Sequence, residues 1–160
     1  MPGRVEEINI APEREGVCTS VPEVEALASQ GLRGDRNFAP ERTPREEGRD
    51  ITLIQAEALA ALRAEHGIEL SGAESRRNVL TRGIDLNALV GRRFMVGDVE
   101  CLGVELCEPC SHLQRLTKPG VMRGLVHRGG LRADIVRSGR IAVGDALAPV
   151  DASGRALASR

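Results

Sequence analysis

The chain has 160 residues, enough for one domain of ordinary size and enough to bury a core without covalent staples. Hydrophobic residues make up 41% and charged residues 28%, which excludes a disordered or collagen-like polymer. Lys plus Arg number 22 and Asp plus Glu 23, a formal net charge of −1, so no global field draws the molecule to nucleic acid or anionic lipid.

In chain order, residues 4–10 read as a strand ended by Pro12. Residues 21–28, after Pro22, suit a short helix or an irregular connection. Residues 31–50 are rich in Gly, Pro and charge and read as a long loop, the kind that is usually functional. A short strand over 50–53 leads into the clearest helix, 54–66, with Ile54, Ala58, Ala61 and Leu62 on one face and Gly67 suited to its C′ position. Residues 78–81 form a short strand candidate, and 85–89 a single helical turn before Gly91. Residues 93–96 and 99–106 read as a hairpin about Gly97-Asp98, with Leu102, Val104 and Leu106 on one face and Cys101, Gly103, Glu105 and Cys107 on the other. An irregular stretch follows, then strands over 131–137 and 141–150. Many short strands and few helices predict a mainly β barrel or sandwich. Residues 1–150 are expected to form this single domain and 151–160 a flexible tail.

No stretch approaches the roughly 18 apolar residues of a membrane helix, and the first segment carries acids where a signal peptide needs an apolar run. A cytoplasmic protein with no membrane and no nucleic-acid partner is expected. Phe38 and Phe94 are the only aromatics, so base-stacking platforms are absent. Lys118 is the only lysine and lies in a turn sequence, Thr-Lys-Pro-Gly, a poor place for a pyridoxal phosphate Schiff base. The chain shows no flavin, haem or iron–sulfur signature.

The densest chemistry is Cys107-Glu108-Pro109-Cys110-Ser111-His112, where the best strand ends. Pro109 cannot donate to a ladder, so Cys110 is expected on exposed backbone, with His112, Arg115 and Lys118 near enough in sequence to favour its thiolate. Three readings stay open: a Cys-x-Pro-Cys dithiol, a zinc site using Cys107, Cys110 and His112 or His127, and one working cysteine with the other packed. Cys18 and Cys101 carry no motif and suit small buried apolar positions. Ser75-Arg76-Arg77-Asn78 offers two forked guanidiniums and an amide, matched to a planar or anionic ligand; surface arginines in an arginine-rich chain are the plainer reading. Gly31-Leu32-Arg33-Gly34-Asp35-Arg36-Asn37 could turn backbone N–H groups toward an anion or be an ordinary polar turn. His127-Arg128-Gly129-Gly130-Leu131-Arg132-Ala133 allows close packing, ligand approach or a bulge.

The order of these segments carries more than any one of them. Gly-Leu-Arg-Gly-Asp-Arg, Arg-Arg-Asn-Val, Gly-Ile-Asp-Leu-Asn-Ala-Leu-Val-Gly-Arg-Arg-Phe, Glu-Pro-Cys, Arg-Gly-Gly-Leu-Arg-Ala and Gly-Arg-Ile-Ala-Val-Gly-Asp together resemble the MOSC domain family, named for the carboxy-terminal domain of molybdenum cofactor sulfurases. The resemblance covers residues 31–150 and looks like that of a small stand-alone bacterial member. It implies a mainly β fold, a barrel of the MOSC and pyruvate-kinase type, with one clear helix and short helical turns. It implies that Cys110 is the protein ligand to molybdenum or, as in the sulfurase branch, a persulfide carrier. By the same resemblance Arg76, Arg77 and Asn78 match the segment that contacts the pterin, Asp35 and Arg36 match a motif near that site, and Arg132, in the glycine-paired segment, is expected with them among the cofactor-binding residues. Asn37 departs from a frequent histidine, and no role is carried to it. The pyridoxal phosphate of large sulfurases belongs to a separate domain and is not expected here.

The expected function is therefore binding of molybdenum cofactor, or handling of its sulfur, through Cys110. As an enzyme it would reduce a small N-hydroxylated substrate with electrons from a redox partner. The alternatives are a non-catalytic carrier accepting persulfide from a cysteine desulfurase, and a zinc-stabilised binding module.

Overall fold

The computed structural model describes residues 2–41, 43–108 and 111–151. Alternating apolar positions build most of the chain into strands. Strand β1 (Gly3–Ile10) is followed by β2 (Thr19–Val21), β3 (Glu23–Leu27), β4 (Gly31–Leu32) and β5 (Ile51–Gln55). Helix α1 (Ala56–His66) leads to β6 (Val79–Arg82) and, after the 3₁₀ turn Leu86–Leu89, to β7 (Arg93–Val96) and β8 (Val99–Leu106). Two short helices, α2 (Ser111–Leu116) and α3 (Val121–Gly124), precede β9 (Leu131–Arg137), β10 (Gly139–Ala142) and β11 (Ala146–Pro149).

Seven strands close a barrel in the order β11-β7-β8-β9-β5-β6-β1, with β1 returning to β11. Closure removes the open edges that invite aggregation. Among the described barrel strands only the neighbours β5 and β6 run parallel, because α1 carries the chain across between them. Pro149 pairs with Phe94 beyond the two-residue contact of β11 with β1, where its missing N–H leaves no ladder bond broken. A separate sheet, β10-β3-β4, contributes Val24, Ala26, Leu32 and Ile141 to the barrel core around Phe94, Ile51 and Leu53. A second apolar cluster lies outside the wall, where Leu59 and Leu62 of α1 meet Leu113, Val121 and Leu125.

The hairpin forms as its sequence predicts: Val96 pairs with Val99, and Gly97 takes a left-handed φ of +58°. Helix α1 ends where expected, with the Gly67 N–H bonded to the Arg63 carbonyl, although Ile54 belongs to β5 and the buried face is Ala56, Ala58, Leu59 and Leu62. Two expectations are corrected. Residues 21–28 are not helical, because Glu23–Leu27 is held on both sides by β10 and β4 and that pairing overrides its helix-forming residues. The stretch after residue 110 is not irregular, since it forms α2 and α3. The tail expected from residue 151 lies, from 152 on, outside the described residues.

Candidate functional site: an arginine-lined cavity on the barrel wall

In β5 and β9 the inward residues Ile51, Leu53, Leu131 and Ala133 alternate with Thr52 and Arg132, which are direct cross-strand partners. Cross-strand partners share a face, so Thr52 and Arg132 both point out of the barrel. Over this patch lies a cavity of about 430 Å³, within the size range of small-molecule sites. Its lining includes six arginines, Arg14, Arg36, Arg49, Arg76, Arg77 and Arg132, against one carboxylate, that of Glu15. Cys107 and the apolar Leu113 and Leu116 of α2 complete much of the rim.

The guanidiniums are fixed to different degrees. Arg76 takes a left-handed φ of +63° and donates to the carbonyls of Gly16 (2.7 Å) and Arg14 (2.8 Å), which ties the loop after β1 to the wall. Arg36 bonds the Asp35 carboxylate (3.2 Å) and the Arg76 carbonyl (3.2 Å). Arg77 is buried and donates to the carbonyls of Gly129 (2.8 Å) and Cys107 (3.2 Å). Arg132 is held more loosely, its ion pair with Glu105 spanning 4.0 Å with both side chains well exposed.

Two residues expected at the ligand stand behind the wall instead. Asn78 is 2% exposed; its Oδ1 accepts from the Thr52 N–H and hydroxyl, and its Nδ2 donates to the Asn9 carbonyl. Asp35 is buried and accepts from the N–H groups of Ala11 and Asn37. The Gly31 to Asn37 turn therefore does not present its N–H groups to an outside anion. Those of Arg33, Asp35 and Arg36 bond to Glu25, Leu32 and Ala11, and the anion it does cradle is its own Asp35 carboxylate.

Among the cysteines, Cys101 lies fully inside the barrel, where burial and the nearby charges of Asp50, Glu100 and Asp134 push its thiol far above the ordinary value. It stays protonated and packs as a small apolar residue. Cys107 is buried and borders the cavity, its N–H bonded to the Gly130 carbonyl. Pro109 and Cys110 lie outside the described residues, as does the side chain of His112. Among the described residues no three His, Cys, Asp or Glu side chains converge as metal ligands, and the exposed His127 pairs with Glu108 at 3.0 Å. Lys118 is tied to the Glu69 carbonyl and lies 3.8 Å from the Glu74 carboxylate.

Sequence reasoning missed Arg14, Arg49 and Thr52 at the cavity and, above all, Arg45. That side chain donates to the carbonyls of Gln30 (2.5 Å), Asn37 (2.9 Å) and Arg49 (2.9 Å) and lies 3.4 Å from the buried Asp50 carboxylate, so it organises the whole 31–50 loop. No local pattern distinguishes it from its neighbouring charges; only Thr52, alternating with two apolar residues, carried a readable signal.

Fold and site together define a small closed β-barrel with a cationic cavity on its outer wall. The MOSC domain family model matches residues 34–148, and the chain belongs to that family. It is similar in fold to YuaD from Bacillus subtilis, with a TM-score of 0.77 and 20% identity over 92% of this chain and 94% of that one. It is also similar to YiiM from Geobacillus stearothermophilus (TM-score 0.73, 16% identity, 97% of this chain and 80% of that one). For YiiM from Escherichia coli the TM-score is 0.67 at 16% identity, over 94% of this chain and 69% of that one. No curated protein matches the chain. No helix among the described residues is long and apolar enough to cross a membrane.

Proposed function

We propose that this MOSC domain holds a pterin-type molybdenum cofactor, with Cys110 as the thiolate toward the metal and the cavity as the seat of the cofactor's anionic part. The observation that supports this most is the imbalance of six arginine residues and one acidic residue lining about 430 Å³, bordered by Cys107 three residues before Cys110. The donor chemistry fits: forked cations suit phosphate, and a thiolate suits a soft metal. Arg36, Arg49 and Arg132 would hold the anionic groups, with Arg76 keeping the neighbouring loop in place. When bound, the cofactor supplies two-electron redox chemistry at a sulfur-ligated metal. The chain's own part is to bind, orient and shield it, Leu113 and Leu116 excluding water from one side. A persulfide handed on to a partner protein adds a single sulfur atom and has no use for so large a cationic space, which favours a site that seats the cofactor over sulfur carriage without it. The activity to assay is reduction of N-hydroxylated compounds with electrons from a separate redox protein.

The test compares variants made in a cofactor-competent host. Cys110→Ala is expected to lose molybdenum while Cys107→Ala retains it. Equal retention by both would refute the assignment of Cys110. After incubation with a cysteine desulfurase and cysteine, an added sulfur on Cys110 in a protein that never holds molybdenum would replace this reading with the carrier.

A further inference from the structure

Arg77 is one of the few charged side chains buried among the described residues, and two of its hydrogen bonds reach a single seam. Nε donates to the Gly129 carbonyl and Nη2 to the Cys107 carbonyl, so one rigid fork joins the end of β8 to the glycine turn before β9. Three further bonds close the same seam. The Cys107 N–H donates to the Gly130 carbonyl (2.7 Å), Glu108 accepts the His127 N–H (2.8 Å), and the Glu108 carboxylate lies 3.0 Å from His127 Nδ1. Residues 107 and 108, which precede Cys110 in the chain, are thus fastened to residues 127–130 by several bonds, and Arg77, just ahead of β6, bonds both sides of the seam at once.

We propose that Arg77 is a positioning residue for Cys110: by holding the Cys107 and Gly129 carbonyls together it fixes the residues that precede that cysteine in the chain. This deepens the reading of the cavity and rests on it, and it departs from the ligand contact that the family resemblance implies for this arginine. The physical case is geometric. A guanidinium offers donors in a fixed planar fork that can bridge two carbonyls, whereas a lysine ammonium is a single point of charge on a flexible stem. Burial strengthens such bonds and makes their loss expensive. Misplacing a reacting group by about an ångström costs on the order of 100-fold in rate, so a remote anchor can govern a thiol it does not touch.

The experiment measures two things on full-length wild type, Arg77→Lys, Arg77→Ala and Arg132→Ala. One is the rate of Cys110 alkylation by iodoacetamide across pH, resolved by peptide mass spectrometry. The other is the affinity for inorganic pyrophosphate, a probe of the cavity's cationic groups. Circular dichroism selects the folded variants, and Arg77→Lys keeps a charge in place where the alanine variant fails to fold. A folded Arg77→Lys variant, which keeps the charge at the cavity wall, is expected to change the Cys110 rate at least tenfold, or to move its pH midpoint, while losing far less pyrophosphate affinity than Arg132→Ala, which is expected to leave the Cys110 rate near that of wild type. A folded Arg77→Lys variant that loses pyrophosphate affinity tenfold, as Arg132→Ala does, would make Arg77 a ligand contact and overturn the proposal. So would unchanged Cys110 alkylation. If wild type binds no pyrophosphate, the cavity reading fails while the alkylation comparison still decides the role of Arg77.

Discussion

Gly130→Ala is expected to lose about 3–5 kcal/mol of stability, a large part of the 5–15 kcal/mol that usually holds a domain together. Gly130 adopts φ +113°, where an L side chain is strained, and a Cβ added there would fall on the Leu53 carbonyl oxygen of β5. The obstacle is backbone, so it cannot swing aside as a flexible side chain would. The clash would push β9 away from β5 at the point where Leu131 pairs with Leu53. It would also disturb the Gly130 carbonyl that receives the Cys107 N–H. Gly67→Ala is the matched control: its φ of +65° is also left-handed, but nothing lies within 4 Å of the added carbon. Its loss should be only about 1 kcal/mol, the ordinary penalty for that conformation. Denaturant midpoints of the two variants check this, and equal losses would show that close approach at Gly130 is not what the barrel requires.

Arg45→Ala is expected to cost about 3–5 kcal/mol at neutral pH, and the loss should shrink as the solution is acidified. Arg45 is largely buried and serves three carbonyls besides lying beside Asp50, whose side chain is 3% exposed. Burial already pushes the Asp50 carboxyl above its ordinary 3.8, against the lowering influence of the Ile135 N–H and of Arg45. Removing Arg45 deletes one lowering influence, so the carboxyl rises further. With the folded value above the unfolded one, the folded state holds its proton more tightly, and stability falls as pH rises between the two. The gap between variant and wild type should therefore be smallest near pH 4 and widest near pH 7, as read from urea midpoints. A gap that does not depend on pH would mean that the carbonyl bonds alone matter. Loosening the 31–50 loop should also make it a site of proteolysis, since Arg36, Asn37 and Arg49 of the cavity stand on it.

What could be read in advance follows from how local each feature is. The hairpin and α1 were legible because period-two alternation around Gly-Asp, and an Ala-Leu-rich run before Gly67, each act within a dozen residues. Residues 23–27 were misread because Glu, Ala and Leu favour a helix locally, while their two partner strands lie elsewhere in the chain. Helices α2 and α3 are too short for a periodic face, and their apolar residues find partners on α1. At the site, Arg36, Arg76, Arg77 and Arg132 stood out as clustered guanidiniums and do meet at one cavity. That Asn78 and Asp35 serve the wall rather than the cavity could not be seen, because residue type says nothing of which way a polar group faces. The pairing of Thr52 with Arg132 needs the strand register, which joins residues 80 positions apart.

The central claim is that the cationic cavity and Cys110 together hold a molybdenum-bearing pterin. Its most direct test is the molybdenum and pterin content of the wild-type chain purified from a host that makes the cofactor, by elemental analysis and by fluorescence of the oxidised pterin. The account predicts the two together, close to one of each per chain. Stoichiometric zinc with no pterin would contradict it.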